Sequence, residues 1–144
     1  MEQKLIEKAI EIISAKNLDC VLSLIDSQGY PTASTVTVIK NDRINVLCFC
    51  TMLNCNRAKR AINCIRASVC FLSREPLYSI TLVGKIEVLT DFETKKDLWQ
   101  EGMEDYFYPP YRFTGYEDDN YCVMRFKTER YKIFIDCEEF EGEI

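Results

Sequence analysis

The chain has 144 residues, 47% hydrophobic and 28% charged, with 18 Lys and Arg against 23 Asp and Glu and no histidine, for a formal net charge of −5. This describes a soluble globular chain whose length suits one domain with a real core, and a pI near 4.9 argues against a nucleic-acid binder, which needs many cations on one face. Without histidine, the usual serine-hydrolase and cysteine-protease triads are excluded, and any general base must be a carboxylate, Lys, Tyr or water.

Residues 2–16 carry Leu5, Ile6, Ala9, Ile10 and Ile13 at helical spacing, predicting an amphipathic helix ended by Asn17. Its opening, MEQKLIEKAI, lacks a signal-peptide core, and no apolar run in the chain is long enough to cross a bilayer, so a cytoplasmic location is expected. The run Cys20 to Asp26 alternates as a strand, and Ser27-Gln28-Gly29-Tyr30-Pro31 is turn chemistry. Thr32 to Lys40 is β-branched, and Asn41-Asp42 would turn it into a strand from Arg43 to Cys50, giving a three-stranded meander.

The stretch from Ile44 to Phe71 then reads as strand, polar turn, basic helix and strand. Arg57, Lys59, Arg60 and Arg66 fall here, and no Asp or Glu occurs between Ile44 and Arg74. A cation in a first helical turn opposes the macrodipole unless an anion sits against it. The run is thus either a solvated helix face or a phosphate site. Ala58, Ala61, Ile62 and Ile65 would form the buried stripe of this helix.

Ala67 to Leu72 is expected as a strand, Glu75-Pro76 as a break, and Tyr78 to Leu89 as a long strand in which Gly84 implies a bulge, a bend or a close approach. Thr90 and Glu93 suggest a capping box for a helix stopped by Gly102. From Met103 to Asn120 the chain is irregular and rich in aromatics, either a contact surface or a satellite core over the sheet. Tyr121 to Lys127 and Arg130 to Asp136 read as a closing hairpin around Thr128-Glu129, followed by an acidic tail from Glu138 expected to fray.

With no secretory signal, the eight cysteines are expected to be reduced thiols, mostly small core residues. Cys48 and Cys50 share one strand face, no CxxC pair occurs, and no metal site is expected. The whole chain, 1–144, is read as a single mainly β domain (β+α), a small antiparallel split β-barrel of about six to seven strands flanked by helices.

Four ordered features make the chain resemble the pyridoxamine 5'-phosphate oxidase-like, FMN-binding split-barrel family from Leu18 to about Ile135. They are Asp26, Gly29 and Pro31 around the first turn; Phe49-Cys50-Thr51 followed by Asn54-Cys55-Asn56-Arg57; Gly84 to Trp99; and the aromatic, acidic loop from Tyr106 to Tyr121. The resemblance implies a homodimer with FMN between the chains. Ser34, Thr35, Val36 and Thr37 would face the flavin ring, with Cys50 and Thr51 along the ribityl chain and Asn56 and Arg57 on the phosphate. Lys59 or Arg60 would add charge, and Ser79 would stand near the ring.

The family's pyridoxamine phosphate oxidases carry a longer carboxyl-terminal segment with Arg and His, and this chain has no His, so that particular activity is not expected. Where two adjacent cations often stand in the basic turn, this chain has Asn56-Arg57. The resemblance implies an FMN-dependent oxidoreductase passing hydride or electrons from a reduced donor to a small acceptor. The alternative is a non-catalytic module storing or sensing flavin or another planar cofactor, with haem disfavoured by the missing histidine.

Overall fold

A computed structural model describes residues 2–105 and 113–144. The first element, α1 (Glu2–Ile13), buries Leu5, Ala9 and Ile13, one residue per turn, against the sheet. It stops short of the expected residue 16, and Asn17 reverses the chain at φ 54°. Eight strands follow: β1 (Asp19–Ile25), β2 (Pro31–Thr37), β3 (Lys40–Asp42), β4 (Val46–Met52), β5 (Arg66–Ser73), β6 (Tyr78–Leu89), β7 (Tyr121–Ile135) and β8 (Glu138–Glu143). Helices α2 (Asn56–Asn63) and α3 (Phe92–Leu98) interrupt them, and a short 3-10 turn covers Met103–Asp105.

All strands are antiparallel neighbours in one curled half-barrel sheet of order β2-β1-β5-β6-β7-β4-β3, with β8 beside the second half of β7. The mainly β, split-barrel expectation holds. Its interior is a single apolar cluster that includes Leu22, Leu47, Phe49, Val69, Phe71, Ile80, Leu82, Met124, Phe126 and Ile133. A smaller cluster of Cys48, Leu98, Met103, Phe113, Tyr121 and Val123 lies on the other face of β4 and β7.

The expected meander does not form. β2 pairs only with β1, Val38 and Ile39 carry the chain across, and β3 makes a small hairpin with β4 through Arg43 at φ 54°. β4 instead lies beside β7, with Leu47 and Phe49 in the barrel core and Cys48 in the second cluster. A strand covered on both faces reads as a continuous apolar run, and its partners are then set by the sheet rather than by the nearest turn.

The expected closing hairpin is also absent. β7 runs through Thr128-Glu129 as one strand, with a bulge where Val83 and Gly84 oppose Arg130 and Thr128. A Cβ on Gly84 would collide with the Lys127 carbonyl oxygen, so glycine here serves both the bulge and the close approach. The bulge leaves Thr128 buried, its hydroxyl donating to the Ile44 carbonyl at 2.5 Å. The acidic tail does not fray, because Phe140 packs on Tyr131 and Lys132 pairs with Glu139 (3.0 Å) and Glu141 (3.8 Å). In α2 only Ala58 and Ala61 are buried; Ile62 is exposed, and Ile65, exposed too, lies beyond the helix end.

Candidate functional site

α2 starts where β4 ends, at the end of the half-barrel that also carries β2. Its second residue, Arg57, reaches back across that junction. Nε donates to the Ser34 hydroxyl at 3.1 Å, Nη1 to the Thr51 hydroxyl at 3.2 Å, and Nη2 to the Thr35 carbonyl at 3.2 Å. Three of the five guanidinium N–H donors are thereby committed, leaving one on each Nη. Thr51 is fully buried and Ser34 and Thr35 are exposed, so the guanidinium is anchored inside and open outside. The N-cap residue, Cys55, makes no side-chain cap, and its Sγ lies 3.2 Å from the Thr51 hydroxyl. The first-turn amides of α2 therefore have no side-chain acceptor.

Ser34, Thr35, Thr51 and Arg57, singled out from the sequence, thus meet in one cluster. The other candidates stand apart from it. Val36 is buried in the barrel core, and Thr37 donates from its hydroxyl to Asp19 at 2.6 Å. Cys50 follows the strand alternation onto the face opposite Thr51, against the second cluster. Burial pushes its thiol up to about 11, with Arg57 pulling slightly the other way, so it is neutral at physiological pH. Ser79 shares the outer sheet face with Thr35 but lies on β6, three strands from β2, which at about 4.8 Å per strand is roughly 14 Å.

Asn56 and Lys59 face a different feature, a cleft of about 370 Å³ between α2 and the β1–β2 turn, lined also by Asp26, Gln28, Arg60 and Asn63. The sequence reading missed the unity of this face. Its signal was the polar set Asn56, Lys59, Arg60 and Asn63 at i, i+3, i+4 and i+7, which one helical face must carry together.

The second cluster is closed by comparison. Trp99 and Phe113 meet the Tyr121 ring edge-on at 5.1 and 5.3 Å, and Lys95, buried, donates from Nζ to the Asp118 carbonyl at 2.8 Å while lying over the same ring. For Phe113, the expected satellite core is what forms. The aromatic residues at 106–108 and 111 lie outside the described residues. All eight cysteines are free thiols, though only Cys20, Cys48 and Cys122 are fully buried, fewer than the core role foresaw. Among the described residues, no three His, Cys, Asp or Glu side chains stand together as a metal site.

Comparison with known proteins identifies the family and the fold. The family described as pyridoxamine 5'-phosphate oxidase matches residues 6–134. The chain belongs to that family. No curated protein matches it. Among solved structures, a Clostridium acetobutylicum protein related to general stress protein 26 of B. subtilis superposes with a TM-score of 0.86 at 22% identity, covering 100% of this chain and 97% of the other. A pyridoxamine 5'-phosphate oxidase-related, FMN binding protein from Nostoc punctiforme gives 0.72 at 12% identity, covering 99% and 95%. A heme binding protein from Mycobacterium smegmatis gives 0.73 at 16% identity, covering 96% of this chain and 57% of that one. At these identities the superpositions speak to the shared fold. Among the described residues, no helix of this family member is long and apolar enough to cross a membrane.

Proposed function

We propose that the protein is a cytoplasmic, homodimeric, FMN-dependent oxidoreductase that passes hydride or electrons from a reduced donor to a small acceptor. One observation carries the reading. Arg57, in the first turn of an α2 that lacks a side-chain cap, is fixed by Ser34, Thr35 and Thr51 with two N–H donors to spare. A phosphate group fits that arrangement, accepting from the first-turn amides and from the guanidinium fork together. Family membership supports FMN as the group that brings it.

In this reading Asn56 and Arg57 hold the phosphate and Thr51 orients Arg57. The exposed backbone and hydroxyls of Ser34 and Thr35 line the approach of the ring, with half-buried Thr37 beyond them, and Val36 stiffens that strand from the core. Cys50 backs β4 as a neutral thiol. Ser79 lies too far across the sheet to join the same cluster within one protomer, so its place near a ring requires the partner chain's sheet, as the homodimer supplies. FMN, when bound, accepts and donates hydride or single electrons; the protein's residues bind it, orient it and leave a face open for a small substrate.

A titration of FMN into the purified protein, read by quenching of flavin fluorescence, tests the binding. Consumption of NADH or NADPH with a quinone acceptor tests the reaction. Saturable quenching without any reduction would favour the second reading, a non-catalytic holder of flavin or another planar cofactor. That reading draws on the heme binding relative, although without histidine this chain would have to ligate haem through Cys, Tyr or Met.

A further inference from the structure

The cleft beside α2 carries two cations, Lys59 and Arg60, on one helical face. Four cations elsewhere in the chain have carboxylate partners: Lys8 with Asp136, Lys85 with Glu129, Arg125 with Glu87, and Lys132 with Glu139 and Glu141. Among the described residues Lys59 and Arg60 have no carboxylate partner, and the hydrogen bond from Arg60 Nη1 to Thr32 Oγ1 is long, at 3.4 Å. One carboxylate does line the cleft, that of Asp26. Its Oδ1 is already turned to the Gln28 and Tyr30 amides at 3.0 and 2.9 Å. Two cations against one carboxylate leave the cleft net positive, and the side-chain amides of Asn56, Asn63 and Gln28 add donors to its walls.

Asn56 connects the two sites. It opens α2 next to Arg57 and also lines the cleft, so the helix start borders the groove. We propose that the cleft between α2 and the β1–β2 turn is a second phosphoryl-binding subsite, in which Lys59 and Arg60 neutralise the anion and Asn63 and Gln28 close around what it carries. Two sources supply that chemistry. One is the distal phosphate and nucleoside of an adenylated flavin whose first phosphate rests on Arg57, an arm that rests on the function proposed above. The other is a separate nucleoside diphosphate. A volume near 370 Å³ suits a group larger than a lone phosphate.

The test measures FMN and FAD by fluorescence quenching and ADP by calorimetry, on the wild-type protein, Lys59→Gln/Arg60→Gln and Asn63→Asp, each checked by thermal melting. The expected result is that ADP binds the wild type and is weakened at least tenfold by the double substitution. Asn63→Asp, which puts a carboxylate in the cleft while leaving both cations in place, should weaken ADP several-fold and FMN less than twofold. If FAD binds more tightly than FMN and loses that advantage in both variants, the adenylated flavin is the source. If ADP follows the pattern and FAD equals FMN, the source is a separate nucleotide. The subsite is overturned if neither ADP nor FAD responds to the substitutions, or if ADP is unaffected while FMN and FAD fall equally in both variants. Failure of the wild type to bind either flavin while ADP binding follows the pattern would remove the flavin reading and leave the subsite standing.

Discussion

α2 and α3 are short helices flanking the same sheet, and their first turns are built in opposite ways. α3 starts at Asp91, whose Oδ2 accepts from the Thr94 amide at 3.0 Å and from its hydroxyl at 2.8 Å; Glu93 sits in the first turn, and Lys95 and Lys96 in the last. Each of those charges agrees with the helix macrodipole. α2 starts at Cys55, which caps nothing, and it has no acid in the first turn, where Arg57 stands instead. A cap worth about 1 kcal/mol is forgone, and the cation costs roughly 0.3–1 kcal/mol more. Three protein hydrogen bonds then hold that cation in place. α3 is complete by itself, whereas the start of α2 is left open, as the proposed phosphate site requires.

Substitutions that exchange these designs should separate binding from stability. Arg57→Glu should lower flavin affinity at least tenfold, about 1.4 kcal/mol, with a cooperative melt retained; an unchanged Kd would remove Arg57 from the phosphate site. Asp91→Ala should do the reverse, lowering unfolding free energy by about 1 kcal/mol in denaturant titration while flavin affinity stays within twofold. Cys55→Asp gives α2 the kind of cap α3 has. It should raise the stability of the flavin-free protein by roughly 0.5–1 kcal/mol and weaken FMN several-fold, because its carboxylate competes for the same amides.

The smallest effect is in acid. The Thr94 amide, and then its hydroxyl, hold the Asp91 carboxyl below its ordinary value of 3.8. A depressed carboxylate gives stability that is present above that ordinary value and lost as pH falls through the folded one. Asp91→Ala should therefore flatten part of the decline in melting temperature below about pH 4, whereas Cys55→Ser, which introduces no carboxylate, should leave that decline unchanged.

Much of this contrast could be read from the residues alone. Arg57 stood out because it defies the dipole, and Ser34, Thr35 and Thr51 were reached through the family resemblance. What escaped was three-dimensional. The segment TDFET offers two overlapping caps, Thr90 with Glu93 and Asp91 with Thr94, and the carboxylate takes the role one residue later than expected. The twelve-residue β6 was legible, and a strand that long needs a partner of matching length. That requirement favours one continuous β7 over a hairpin broken at Thr128-Glu129. The apolar run of β4 reported burial on both faces, yet no local pattern could say that its partner is β7 rather than β2. Ile62 seemed a core residue by spacing, but α2 is held close to the sheet by the small Ala58 and Ala61, and the face that Ile62 occupies stays in solvent.

The most direct test compares FMN with riboflavin, which has the same ring and ribityl chain and lacks only the phosphate. Both would be titrated into the wild-type protein at low ionic strength, with flavin fluorescence as the readout. If the unfinished start of α2 and Arg57 are a phosphate site, FMN binds at least tenfold more tightly than riboflavin, and added salt narrows the gap. Equal dissociation constants for the two would contradict the assignment, since the phosphate would then contribute nothing where the helix was left open for it.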